Sequence, residues 1–219
     1  MYMPPHFSEN RIAVLQGLIR QHPLGTLVTQ DSEGLQANHI PFLISEPTAD
    51  APFGILRGHV ARQNPVWQQT TSESLIVFQG ASAYITPSWY QEKQLTGMVV
   101  PTYNYAVVHA RGDIRTIDDP QKLLLLLQDL TRHFEASRPA PWKVSDAPEE
   151  YLRNMMEAIV GIEIPLTSIN GKWKNSQNKS AENQMRIAEG LREENTSASK
   201  ELADMLEQQM FAIPTPAHQ

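Results

Sequence analysis

The sequence predicts a mainly β fold, a barrel of short strands decorated with helices. Three observations point to it. Six or more short apolar stretches are separated by turn signals, helical periodicity is confined to a few segments, and no strand–helix–strand repeat runs through the chain. With 219 residues, 41% hydrophobic and 19% charged, there is ample material for a core.

The elements follow in order. Ile12, Leu15, Leu18 and Ile19 recur at helical spacing, so a helix is expected from about Ser8, as its cap, to Gln21, stopped by Pro23. Leu24–Gln30 and Leu35–Ile44 read as strands joined by the turn Asp31-Ser32-Glu33-Gly34, and Phe53–Val60 as a third strand. Asn64-Pro65 starts a short helix to about Thr71, with Asn as cap and Pro at the first helical position. Strands are expected at Leu75–Gln79 and Ala83–Thr86, and a strand pair within Val99–Arg115. Asp118-Asp119-Pro120 opens a helix to about Ala136, whose five successive leucines predict cover on both sides. A helix at Glu149–Ala158 precedes a strand at Ile159–Ile169, where Pro165 predicts an edge or bulge. From Ser180 two polar helices are expected, about Ala181–Arg192 and Ser197–Met210. Residues 181–219 hold seven acidic and three basic side chains. The division expected is residues 1–179 as the barrel domain and 180–219 as a helical C-terminal extension.

Composition excludes several classes. There is no cysteine, hence no disulfide, thiol nucleophile or thiolate metal site. The N-terminus lacks a signal-peptide pattern, and the run Leu123–Leu127 is far too short to span a membrane, so a cytoplasmic protein is expected with no membrane partner. A net charge of −6 argues against a broad nucleic-acid surface and leaves room only for a small basic patch. His39, His59 and His109 are scattered over three predicted strands, a pattern more often structural than metal-binding, so no metal is expected.

Four stretches carry chemistry. In Gly58 to Trp67 a strand ends in His59, Ala61, Arg62, Gln63 and Asn64 and a helix begins, and unpaired N–H groups beside a guanidinium suit a phosphate. A capped helix with an exposed arginine has the same sequence. In Asn38-His39-Ile40-Pro41-Phe42, proline removes a ladder donor and can free backbone for a flat heterocycle, or mark a barrel rim. Aromatics concentrate between Phe78 and Tyr105, as in pocket walls, dimer interfaces or plain core. Finally, Lys172, Lys174 and Lys179 lie around Trp173, Ser176, Gln177 and Asn178, which suits a phosphate, a nucleic acid, or a solvated hairpin end.

Taken in order, these segments resemble the PaiB-type family of FMN-binding negative transcriptional regulators. The resemblance runs from Met1-Tyr2-Met3-Pro4 through His39–Phe42, Gly58–Trp67, Phe78-Gln79-Gly80, Tyr84–Tyr90, Val100–Tyr105 with His109, and Ile159-Val160-Gly161 to Lys172–Asn178. It implies a split β-barrel of the flavin-reductase type, working as a homodimer with FMN near the interface. The phosphate would meet His59, Ala61, Arg62, Gln63 and Asn64, and the ring edge Asn38, His39, Ile40 and Pro41. Lys172, Lys174, Ser176, Gln177 and Asn178 would close over the cofactor. The sequence departs from the family at Ala81-Ser82, at Gln91–Met98, which reads as an insertion, and at Asn175, where leucine is usual. An FMN-dependent oxidoreductase or flavin reductase is the alternative. A haem-binding relative with His59 or His109 as axial ligand is a weaker one.

Overall fold

A computed structural model describes residues 1–68 and 73–211. Its strands begin with β1, Ser8–Glu9, which pairs antiparallel with Lys172 and Gly171. Ser8 therefore belongs to a sheet rather than capping the first helix, and α1 runs over Ile12–Gln21 with Arg11 at the cap position. β2, Leu24–Asp31, and β3, Gly34–Pro41, form the expected hairpin, paired from Leu24↔Pro41 to Asp31↔Gly34. Gly34 has φ +118°, open to glycine, and the Asp31 carboxylate accepts the Glu33 N–H at 2.8 Å.

The expected return strand breaks at Phe42, whose N–H donates to Pro23 O at 2.9 Å while its ring meets Phe78 edge-on at 6.1 Å. β4, Leu43–Ile44, resumes it and pairs with β5, Ile55–Ala61. After β5 the described part of the expected helix is a 3₁₀ turn, Pro65–Gln68; residues 69–71 of that expectation lie outside the described residues.

β6 is one strand, Ser74–Ile85, where the sequence suggested two. Its buried positions are Ser74, Ile76 and Phe78, then Ala81, Ala83 and Ile85, so the inward face changes parity across Gln79-Gly80. A short helix α2, Glu92–Leu95, leads to β7, Thr102–Gly112, and β8, Arg115–Ile117. α3, Pro120–Glu135, starts where Asp119 accepts the N–H groups of Gln121 and Lys122 at 2.8 and 2.9 Å. Its leucines are not covered on both sides: Leu123, Leu126 and Leu130 are buried and Leu125 is exposed, the single stripe of an amphipathic surface helix. α4, Glu149–Glu157, β9, Ile159–Lys174, α5, Ala181–Glu194, and α6, Ser197–Phe211, complete the chain.

Two compact units emerge. One comprises Met1–Asn10, Gln79–Val107 and the chain from Gly171 onward; the other comprises Arg11–Phe78 and Val108–Asn170. The boundary falls inside β6, β7 and β9, and the sequence-based division at 179/180 lies within the first unit. There α5 and α6 bury Ile187, Leu191, Leu202 and Leu206 against Ile85 and Tyr90.

In the second unit the strand order is β3-β2-β6-β7-β9-β5-β4, with β8 added to β9. The path ends in different strands, so the sheet is an unclosed, split barrel. Its free end β3 still lies against β5, since a Cβ on Gly58 would stand 3.1 Å from Ile40 Cγ2 and 3.1 Å from Pro41 O. Pro165 does not mark a sheet edge, because β9 lies between β7 and β5. Its missing N–H falls where the β5 pairing ends, and the next N–H, of Leu166, donates to Gly54 O at 3.0 Å. α3 covers an outer face with Leu123, Leu126 and Leu130 against Leu43, Ile117, Met156 and Ile159.

Candidate functional site

In the second unit, β3 is a terminal strand, as Pro41 suggested. Strand alternation turns Asn38 and Ile40 inward and leaves His39 and Pro41 exposed. The Asn38 Oδ1 accepts the Asn64 amide at 2.7 Å, and Asn64 Oδ1 accepts the Val66 N–H at 3.0 Å, so Asn64 caps the 3₁₀ turn and ties it to β3.

Arg62 is oriented elsewhere. Its Nε donates to Glu157 O at 2.7 Å and its Nη2 to Ile159 O at 2.9 Å, which caps the C-terminal end of α4 with a cation. The Arg62 N–H donates to Ala158 O and the Asn64 N–H to Ala61 O, so these two turn donors are engaged within the chain. Gln63 and Ala61 are exposed. The structure thus joins Asn38 to Asn64 and joins Arg62 to the end of α4.

His59 shares a face of β5 with Arg57, whose guanidinium meets Asp129 of α3 at 3.2 Å. The His59 Nδ1 is buried without a hydrogen-bond partner among the described residues, and burial holds the imidazole pKa below its usual value; burial does the same at His109. A histidine kept neutral in the fold takes up its proton on unfolding, at about pH 6.5. Stability is therefore full above about pH 6.5 and falls as pH drops through that value toward the lowered folded pKa, by at most about 1.4 kcal/mol per pH unit for each group. Urea midpoints across this range should show the decline, and His59→Gln should make it shallower. An unchanged slope would mean that His59 titrates normally in the fold.

In the first unit, β9 ends at Lys174. Lys172 is only 8% exposed; its ammonium donates to Tyr2 O at 3.2 Å and lies over the rings of Tyr2 and Tyr105 at 5.6 and 5.5 Å. Lys174 Nζ donates to Thr102 Oγ1 and, at 2.8 Å, to Tyr103 O. Gln177 braces the following turn by accepting the Asn175 N–H at 2.8 Å and donating to Trp173 O. Ser176 is held at φ +61°, an uncommon conformation for a residue with a Cβ, and Asn178 is exposed.

Asn104 fixes this geometry. Fully buried, it donates to Ser176 Oγ at 3.0 Å and Asn175 Oδ1 at 3.4 Å and accepts from Ser176 Oγ at 3.2 Å. Asn175 is buried too, and its Nδ2 has no partner among the described residues. Neither asparagine is in the sequence-predicted set. The available signal was a polar residue at an inward position, since Asn104 shares its period with buried Ala106, Val108 and Ala110.

Residues 1–168 match the family described as "Putative FMN-binding domain". A protein of Aspergillus fumigatus is 34% identical over 93% of this chain and 95% of its own length. The chain belongs to the PaiB-type FMN-binding family. The Bacillus subtilis protease synthase and sporulation protein PAI 2 is 28% identical over 96% of this chain and 98% of its own. The FAD and heme binding protein of Mycobacterium smegmatis superposes with a TM-score of 0.57 at 16% identity, over 84% of this chain and 80% of that one, which shows the split-barrel fold.

FMN is the cofactor of this PaiB-type chain, and the residues present fit a flavin. Among the described residues each unit holds a buried polar nitrogen without a partner, His59 Nδ1 in one and Asn175 Nδ2 in the other. A flavin offers ring carbonyls, ring nitrogens and ribityl hydroxyls that satisfy such groups.

Proposed function

We propose that this protein is a cytoplasmic, homodimeric FMN-binding regulator that lowers gene expression through a protein partner or through metabolism rather than by gripping DNA. The full-length likeness to the PaiB-type relatives carries the reading. Charge supports the indirect route. On α5, Arg186 pairs with Glu182 at 3.2 Å, and Arg192 with Asp204 and Glu207 at 2.7 and 2.6 Å, so both helix cations are neutralised within the chain.

The dimer reading rests on the stretch Tyr84–Tyr105, where Tyr84, Leu95, Met98, Val100 and Tyr103 are exposed, Met98 at 83%. We expect an interface above about 1,600 Å² and, by light scattering, the mass of two chains at micromolar concentration. A monomer would contradict it.

Two sets of flavin contacts are proposed, each tested on its own. The first is Asn38–Pro41 with His59 and Ala61–Asn64; the second is Lys172, Lys174 and Ser176–Asn178. Arg62→Ala should weaken FMN binding by about 1.5–3 kcal/mol if the guanidinium donors left over from Glu157 and Ile159 serve the phosphate. Lys172→Ala with Lys174→Ala should lower FMN affinity without changing the dimer mass. Retained FMN affinity, with loss of a salt-sensitive DNA interaction, would favour a nucleic-acid edge instead. A flavin reductase is the second reading, because bound FMN itself supplies the hydride chemistry and the chain need only orient and shield it.

A further inference from the structure

In the second unit, between the turn end of the β2–β3 hairpin and the 3₁₀ turn, lies a cavity of about 220 Å³ lined by Thr29, Asp31, Glu33, Gln36, Asn38 and Asn64, with Ala37, Pro65 and Val66 beside them. The hairpin register explains its polarity. Leu27 lies opposite Asn38, Thr29 opposite Gln36, and Asp31 opposite Gly34, so one face of β2 and β3 passes from apolar to carboxylate over a few residues.

We infer that this cavity binds a small organic ammonium ion. Among the described residues the lining brings two carboxylates and no lysine, arginine or histidine, so its charge favours a cation. Thr29 is 5% exposed, and among the described residues its Oγ1 has no hydrogen-bond partner. A buried hydroxyl in that condition costs stability until a ligand satisfies it. It can accept an ammonium N–H, as can the Glu33 carboxylate and the Gln36 amide oxygen. Pro65 and Val66 give a short alkyl chain an apolar contact.

The volume is below the roughly 300 Å³ at which drug-sized ligand pockets begin, so a flavin ring does not fit within it, although Asn38 and Asn64 are shared with the flavin contacts proposed above. A hard divalent cation is the rival, but it requires six or more oxygen ligands. Among the described residues no three His, Cys, Asp or Glu side chains form a metal-holding group.

The test is calorimetric titration of the full chain with n-butylammonium chloride at low ionic strength. Saturable binding near ~1 mM is expected. Glu33→Gln should weaken it about fivefold, Asp31→Asn combined with Glu33→Gln more than about tenfold, and Thr29→Val about threefold, since charge-assisted hydrogen bonds are lost. Glu33 is exposed on the turn, so Glu33→Gln decides the matter even if the double variant does not fold. FMN affinity should be the same in Glu33→Gln as in the parent chain, which separates this site from the flavin reading. No heat with the parent chain, equal affinity in the variants, or binding of Mg²⁺ or Ca²⁺ that butylammonium does not displace would overturn it. A parallel fall in FMN affinity would also overturn it, by making the cavity part of the flavin site.

Discussion

Replacing Asn104 with leucine should destabilise the protein by about 3 kcal/mol and loosen FMN binding along with it. The side chain keeps the same branching and number of heavy atoms, so its outline is retained. What is lost are the bonds to Ser176 Oγ at 3.0 and 3.2 Å and to Asn175 Oδ1 at 3.4 Å. Ser176 and Asn175 are 4% and 1% exposed, too buried for water to replace Asn104. Leaving a buried polar group unpaired costs about 1–3 kcal/mol each, more than the net value of the bond itself. Ser176 would also lose the contact that holds its left-handed backbone. A cycle of Asn104→Leu and Ser176→Ala, followed by urea unfolding, should show a coupling of about 1 kcal/mol or more. Additive effects would mean that the asparagine acts through bulk alone.

Gly190→Leu should cost about 3 kcal/mol, although it replaces glycine inside a helix. Propensity favours the change by nearly 1 kcal/mol. Packing opposes it, because a Cβ at Gly190 would stand 2.2 Å from Trp89 Cε2 and 2.5 Å from Cδ2 and Nε1. The indole lies on the glycine face of α5, beside the cluster of Ile85, Tyr90, Ile187 and Leu191, so it cannot shift without opening that core. Steric cost outweighs propensity. The urea midpoint of Gly190→Leu should fall, and Trp89→Ala in the same chain should recover part of the loss. Equal losses with and without Trp89 would show that the indole does not set the requirement for glycine.

The parts legible in the sequence are those fixed by neighbouring residues. Asp119-Pro120 announced α3, and Asp31 to Gly34 announced the hairpin. Long-range pairing was not legible. Ser8 looks like a helix cap until Lys172 is known to lie opposite it. β6 looks like two strands because its inward face changes parity across Gln79-Gly80. The same limit applies to the site. The residue types around Arg62 and Lys172 were readable, but not that Arg62 would meet the carbonyls of Glu157 and Ile159, nor that Tyr2 and Tyr105 would flank the Lys172 ammonium. Asn104 escaped notice because its partners lie on a turn after β9.

The most direct test of the account is titration of the purified full-length chain, stripped of any bound ligand, with FMN, followed by flavin absorbance and fluorescence. Saturable binding of one FMN per chain is predicted, with quenched flavin fluorescence as the ring is enclosed, and with binding weakened in Asn104→Leu and in the Lys172→Ala, Lys174→Ala chain. A chain that leaves FMN free in solution, or that instead takes up haem and shows a Soret band, would contradict the assignment of FMN as its cofactor.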